Sequence, residues 1–107
     1  MSPPRNDAYE YVPIELRETI PKLCATEGQP DPTVWIKLFT PDSNWTWYVI
    51  EWDGNDLCFG LVSGHEIELG YFSLADIHAA RGGLGLPVER DLYFTPCPLS
   101  TARSRHE

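Results

Sequence analysis

The sequence has no lysine or arginine between Lys37 and Arg81, although that stretch contains seven acidic residues. The whole chain of 107 residues carries 16 acidic and 8 basic side chains, which gives a formal net charge of −8. Nucleic acids and anionic membranes are bound through basic surfaces, so this charge argues against both as partners. A protein partner with a basic surface fits the charge better.

Cysteine is scarce and widely spaced, at Cys24, Cys58 and Cys97. No Cys-x-x-Cys pair occurs, which excludes the common zinc-ribbon and thioredoxin-type spacings. No apolar run approaches transmembrane length, and the first seven residues lack the apolar core of a secretion signal. We therefore expect a cytoplasmic protein with reduced thiols, no metal and no cofactor.

Length and composition predict one globular α+β domain, because 42% of the residues are hydrophobic and 12% are aromatic. We expect an antiparallel sheet of about three to five strands, arranged as hairpins or a meander and packed with two short helices. The predicted organisation is a flexible N-terminal arm at 1–12, the domain at 13–100 and a frayed tail at 101–107.

Capping and turn residues mark the expected elements. Pro13 opens a predicted helix that Pro21 ends, and Ser73 caps a second helix that runs to Arg81. Strands are predicted over residues 34–40, 45–52, 57–63 and 91–95, with a short strand or its lead-in at 65–69.

The pair Gly54-Asn55 predicts a two-residue hairpin turn between the second and third strands. Counting outward from it gives three opposing pairs on one face of the sheet: Trp52–Leu57, Ile50–Phe59 and Tyr48–Leu61. This register makes Phe59 a core residue. The other face then receives Val34, Ile36, Leu38, Trp47, Val49, Gly60 and Val62. Both faces of the predicted sheet are therefore apolar.

Both apolar faces need a cover, and the helices can supply only one. The arm, the loop 82–88 and the C-terminal segment are one source of cover for the second face. Otherwise that face binds a protein partner or a second copy of the chain, with Trp47 as its anchor beside Gly60. The predicted contact residues are Trp47, Val49, Gly60 and Val62, with Glu51 and Asp42 as an acidic rim.

A second hypothesis concerns the cluster His65, Glu66, Glu68 and His78. A small enzyme, or a protein that binds a metal or ligand, would have its site there. On a strand, however, His65 points away from Glu66 and Glu68, so one metal could not contact all three without a bend. We assign no catalytic residue and no metal ligand from these spacings.

Four segments resemble one known family: Phe-Thr-Pro-Asp-Ser-Asn-Trp-Thr-Trp-Tyr at 39–48, Asp-Leu-Cys-Phe-Gly-Leu-Val at 56–62, Glu-Leu-Gly-Tyr-Phe-Ser-Leu at 68–74, and residues 81–96. Together they are similar to the family DUF2958, which is common on plasmids and other mobile elements. The resemblance implies a role on a mobile genetic element and carries over no activity. We therefore expect a non-enzymatic accessory domain that binds a protein partner.

Overall fold

A five-stranded antiparallel sheet organises residues 10–106, the part of the chain that the computed structural model describes. The strands are β1 (Thr33–Val34), β2 (Ile36–Phe39), β3 (Thr46–Trp52), β4 (Leu57–Ser63), β5 (Ile67–Ser73), β6 (Glu89–Arg90) and β7 (Cys97–Pro98). The helices are α1 (Leu74–Ala79) and α2 (Leu99–Ser104), preceded by a 3-10 turn at Ile14–Leu16. The order in the main sheet is β5-β4-β3-β2-β6, and β1 pairs with β7 in a small second sheet. The predicted α+β class is confirmed.

The segment predicted as the first helix forms only the 3-10 turn. It lies between Pro13 and Pro21, and Pro21 has no N–H with which to continue a helix. The buried side chains Val12 and Ile20 fix its two ends in the core. The carbonyl of Pro21 then accepts the Trp52 N–H at 2.9 Å, which joins the segment to β3.

Two predicted strands also differ from the structure. The first is interrupted at Trp35, and Val34 consequently packs on the opposite face of the sheet from Ile36. The strand expected at 91–95 is replaced by a turn, in which the Asp91 side chain accepts the Tyr93 N–H at 2.9 Å. β5 is longer than predicted because it continues in register through Gly70.

An extra residue at Ile50 shifts the register between β3 and β4. The pairs Tyr48–Leu61, Trp47–Val62 and Val49–Gly60 are as predicted, but Glu51 then lies opposite Phe59 and Trp52 lies opposite Cys58. The predicted pairs Ile50–Phe59 and Trp52–Leu57 are therefore wrong. The connecting turn is longer than two residues, since Asp53 Oδ1 accepts the N–H groups of Asn55, Asp56 and Leu57.

The bulge requires glycine on the neighbouring strand. A Cβ at Gly60 would lie 1.7 Å from the Tyr48 carbonyl oxygen and 3.2 Å from the Ile50 nitrogen. Gly60 therefore makes room for displaced backbone, and it does not open space beside Trp47 as the sequence suggested. Phe59 is half-buried and contacts the ring of Tyr71, so it is not a member of either buried cluster.

The two faces of the sheet pack against different helices. The α1 face buries Leu74 and Ile77 of α1 against a cluster that includes Ile36, Leu38, Val49, Trp52 and Cys58. The α2 face buries Leu99 and Ala102 of α2 against Val34, Tyr48, Ile50 and Leu61. Tyr11 and Val12 add to the α1 face, and the Tyr11 hydroxyl donates to the Val88 carbonyl at 2.7 Å. Both apolar faces are thus covered over their central strands.

Helix α2 occupies most of the tail that was predicted to be frayed. Asp31 accepts hydrogen bonds from the Ser100 N–H and hydroxyl at the start of the helix, at 2.8 and 2.7 Å. At its end, His106 Nε2 lies 2.6 Å from the Tyr48 hydroxyl. In the middle of α2, Ala102 is fully buried against the sheet. Of the predicted flexible arm, residues 1–9 lie outside the described residues.

We predict that Gly60→Ala destabilises the protein whereas Gly70→Ala does not. The two glycines lie directly opposite each other in β4 and β5. A methyl group at 60 overlaps the bulged backbone, and such overpacking costs about 1–3 kcal/mol. A Cβ at Gly70 meets nothing within 4 Å, so its substitution should change the unfolding free energy by less than about 0.5 kcal/mol. Urea unfolding of both variants measures the difference, and equal stabilities would contradict the bulge.

Candidate functional site

The α1 face leaves one apolar area uncovered beyond the end of α1. Its side chains are half-buried and contiguous, and we call them the Trp shelf: Trp45, Trp47, Val62, Phe72 and Ala80. Trp47 lies opposite Val62 in the sheet, and it lines a cleft together with Phe72 and Ala80. The shelf is therefore a continuous surface shared by β3, β4, β5 and the end of α1.

Two stacked indole rings form the centre of the shelf. The rings of Trp45 and Trp47 lie 6.0 Å apart with an interplanar angle of 23°, and the His65 ring meets Trp45 edge-on at 5.4 Å. Trp45 rests directly on Gly64, where a Cβ would lie 2.2 Å from the indole. The backbone N–H of Trp45 also donates a hydrogen bond to the Thr40 hydroxyl at 3.0 Å, which restricts the movement of the residue. The rings are thus held in position by packing and backbone contacts.

Clefts lie on both sides of Trp47. One, of about 430 Å³, is an open cleft lined by the two indoles, Thr40, Ser43 and the turn from Ala80 to Gly83. The other, of about 330 Å³, lies between Trp47, Phe72 and the Asp76–Ala80 side of α1. A half-buried tryptophan with a cleft on each side can be contacted from both sides, and tryptophan is enriched among binding hot spots.

Charged side chains surround the shelf unevenly. Glu68 lies directly opposite Val62 on β5, and Asp76 lies on α1, and both are exposed. On the far side, the Arg81 guanidinium donates to the carbonyls of His78 and Ala80 at 2.9 and 2.7 Å, which fixes it to the end of α1. The β5 and α1 sides of the rim are therefore anionic.

The structure separates the residues predicted to contact a partner. Trp47 and Val62 lie on the shelf, but Val49 and Gly60 are buried beneath α1, out of reach of any partner. Asp42 braces the neighbouring loop, since its Oδ2 accepts the N–H groups of Leu84 and Leu86 at 2.8 and 3.3 Å. Glu51 lies on the other face and Asp42 is engaged with the loop, so the exposed carboxylates beside the shelf are those of Glu68 and Asp76. Sequence reasoning missed Trp45 and Phe72, although both continue the aromatic pattern of their strands.

The bulge moves Glu51 to the opposite face of the sheet. Its side chain is only 2% exposed and accepts the Cys24 N–H at 2.8 Å, the Thr26 N–H at 2.9 Å and the Thr26 hydroxyl. These bonds bind the loop before β1 to the sheet. Cys24 adopts a left-handed backbone conformation (φ 71°), which the hydrogen bonds to the carboxylate support. Gly60 inside a strand was the available sequence signal for this bulge.

The loop held by Glu51 forms the wall of a cleft of about 270 Å³ on the α2 face, lined in part by Cys24, Glu27, Phe59, Leu69 and Tyr71. The neighbouring Glu27 carboxylate, and to a lesser extent burial, raise the pKa of the Cys24 thiol. A thiol that stays protonated is a poor nucleophile. Glu27 therefore disfavours the thiolate form of Cys24.

The alternative cluster is not assembled in the structure. His65 packs against Trp45, whereas His78 packs against Tyr11 with ring centroids 5.8 Å apart. Glu66 and Glu68 are exposed. Among residues 10–106, no group of three or more His, Cys, Asp and Glu side chains is placed to hold a metal ion.

We predict that Glu51→Gln lowers the unfolding free energy at neutral pH by about 1.5–3 kcal/mol, the usual contribution of hydrogen bonds to a charged group. Burial by itself raises the pKa of Glu51, but the bonds from Thr26 and Cys24 outweigh it and hold the pKa below its ordinary value of 4.5. Because the folded pKa is the lower one, this stabilisation is complete above pH 4.5 and is lost as the pH falls through the folded value.

Urea unfolding of the wild type and of Glu51→Gln at a series of pH values measures this contribution. The difference between the two proteins should shrink as the pH falls below 4.5. Glu66→Gln, at an exposed position in the β4–β5 turn, is the matched control and should leave stability unchanged. A Glu51→Gln variant as stable as the wild type at neutral pH would contradict the role of the carboxylate.

Comparison with known proteins gives one match. The family model DUF2958, described as a protein of unknown function, matches residues 14–103. No curated protein and no solved structure matches the chain significantly. Within the described residues, no helix has the length and apolar character needed to cross a membrane. Since the family model spans most of the chain, as the sequence motifs predicted, the protein belongs to the DUF2958 family.

Proposed function

We propose that this protein is a non-enzymatic accessory domain of a mobile genetic element, and that it binds a protein partner through the Trp shelf. The mobile-element setting rests on the family resemblance. Three free cysteines support a reducing, cytoplasmic environment. The binding role rests on the shelf itself, and above all on the stacked Trp45–Trp47 pair.

The stacked pair is the main support for the proposal, because exposure of its apolar surface to water costs free energy. Folding covers both faces of the sheet elsewhere, yet two adjacent indoles stay half-exposed between concave surfaces. Isolated domains rarely leave contiguous apolar patches without a use for them. The rings are also fixed before any partner arrives, so binding would lose little side-chain entropy. An ordered aromatic surface of this kind is suited to recognition.

The distribution of polarity favours binding over catalysis. Glu68, Asp76 and Arg81 lie at the margin of the shelf, while its interior is apolar. An apolar centre with a polar rim is the usual anatomy of a protein–protein interface. Catalytic groups, in contrast, need to converge on a substrate from the walls of a cleft.

The rim charge favours a basic partner over a second copy of the chain. A two-fold axis through the shelf would bring two like surfaces together, with Glu68 and Asp76 from each copy facing the same interface. Like charges at an interface repel, whereas a basic partner would be attracted by them and by the net charge of −8. Homodimerisation through the shelf remains the competing arrangement in the experiment.

We predict that Trp45→Ala weakens partner binding strongly without unfolding the protein. Trp45 lies outside both buried clusters, whereas Trp47 packs against the core and its removal would also reduce stability. Loss of a hot-spot tryptophan costs about 2 kcal/mol or more, which weakens binding about 30-fold. Proteins captured from cells that carry the element, by the wild type and by each variant, can be compared by quantitative mass spectrometry.

Tyr93→Ala is the matched control, because Tyr93 is an aromatic side chain that is 94% exposed and lies away from the shelf. A partner captured by the wild type and by Tyr93→Ala, but lost with Trp45→Ala and at high salt, would support the proposal. Equal capture by both variants would overturn it. Sedimentation of the purified protein supplies the other test, since a dimer that Trp45→Ala dissociates would replace the basic partner with a second copy.

A further inference from the structure

β5 forms one edge of the main sheet among the described residues. All seven of its residues pair with β4 in one uninterrupted register, and within residues 10–106 no strand lies on its other side. Natural edge strands are usually shielded by a bulge, a proline, a lysine or a very short length. β5 has none of these features, and its one charged side chain, Glu68, repels acidic strands but not basic ones. Within the part of the chain that the structure describes, its outer side is therefore open to another strand.

Two hydrogen bonds fix which backbone groups point outward. The Leu74 N–H donates to the Asp56 carbonyl and the Gly64 N–H donates to the Glu66 carbonyl, each at 3.0 Å. In an antiparallel pair, hydrogen-bonded and non-hydrogen-bonded residue pairs alternate along the strand. Every second residue from Glu66 to Leu74 therefore bonds to β4, and Gly70 belongs to this series. Leu69 and Tyr71 belong to the other series. Their N–H and C=O groups consequently point away from the sheet.

Side chains on the α2 face of this edge are apolar and exposed. Leu69 is 44% exposed and Tyr71 is 59% exposed. The Tyr71 ring contacts the Phe59 ring, with centroids 5.0 Å apart. On the α1 face, Gly70 leaves open space, since a Cβ built there meets nothing within 4 Å. An incoming strand would thus find apolar contacts on one face and no obstruction on the other.

We propose that the β5 edge binds an extended segment of a partner protein in which lysine or arginine alternates with apolar residues. The alternation follows from the two faces. Side chains on the α2 face would contact Leu69 and Tyr71, while the intervening ones would reach Glu68 and Asp76 on the α1 face. Successive side chains of a strand point to opposite faces, so an apolar–basic alternation matches both sets at once.

Charge is the reason for choosing a basic segment over a second copy. Acidic residues flank the edge on both faces, with Glu68 and Asp76 on one and Glu27 in the cleft beside Tyr71 on the other. No lysine or arginine occurs between Lys37 and Arg81. Pairing two β5 strands would bring these acids together from both copies, whereas a basic segment neutralises them.

The first experiment follows individual backbone amides of the full chain by NMR hydrogen exchange. The probe is a short peptide of alternating lysine and valine, and its counterpart of alternating glutamate and valine is the control. In the free protein, the amides of Leu69 and Tyr71 should exchange fast and that of Gly70 slowly. The basic peptide should slow Leu69 and Tyr71 and leave Gly70 unchanged. Absence of protection by the basic peptide, or equal protection by the acidic one, would overturn the proposal.

The second experiment uses variants at the two residues of β5 whose backbone groups point outward. Tyr71→Pro removes an outward N–H without touching the β4 pairing, and Leu69→Lys keeps the backbone while adding a charge that repels the basic peptide. Each should weaken peptide binding by about tenfold or more. Leu84→Lys adds the same charge at an 81% exposed leucine elsewhere and should have no effect. Equal binding by Leu69→Lys and Leu84→Lys would contradict the edge as the site.

Two other occupants give distinguishable results. If sedimentation shows a dimer that Leu69→Lys dissociates, the edge pairs with a second copy and the basic segment is wrong. If a variant lacking residues 1–9 shows faster exchange at Leu69 and Tyr71 than the full chain, the protein's own N-terminal segment covers the edge. The inference is independent of the Trp shelf, because Trp45→Ala should leave protection by the peptide unchanged.

Discussion

The extra residue at Ile50, held between the Glu51 carboxylate and the side-chain-free Gly60, determines where the rest of β3 points. A strand alternates its side chains, so one inserted residue exchanges the faces of everything beyond it. The bulge places Trp52 with Val49 in the α1 core and places Glu51 on the other face. The carboxylate then accepts three hydrogen bonds from the loop before β1. A buried charge is tolerable there because its hydrogen bonds are satisfied.

Coverage of the sheet follows from this arrangement. α1 and the segment around Val12 close one face, while α2 and the segment before it close the other, each over the central strands. The helices are only six residues long, so neither reaches across the full width of a five-stranded sheet. What stays open is the Trp shelf on one face, which extends from β3 across to β5, and the Leu69–Tyr71 pair of β5 on the other. Short helices on a wide sheet thus leave exposed apolar surface at one side of the molecule.

That open side coincides with the acidic part of the chain. Glu68 and Asp76 lie between the Trp shelf and the β5 edge, so a basic partner would meet the same charges at either surface. A longer partner could occupy both, with a folded part on the shelf and an extended part along β5. The acids would also discourage unwanted pairing of the edge with copies of the same chain, which is a common role of charge at sheet edges.

Local signals in the sequence determined the fold class, the three central strands, the capped helix after Ser73 and the family. These features depend on alternation, turn residues and an N-cap, all of which are contained within a few neighbouring residues. The pairing of Tyr48 with Leu61 and of Trp47 with Val62 could also be counted, and the structure has both pairs. The counting failed for Glu51, and it did not foresee the burial of Val49 and Gly60, because it assumed an unbroken ladder and a bare second face. Only the tertiary structure decided the bulge, the covering of both faces and the helix at the C-terminal end, since each depends on contacts between residues far apart in the chain. The carboxylate of Glu51 meets Thr26, and Tyr48 meets His106, and no local pattern encodes either encounter.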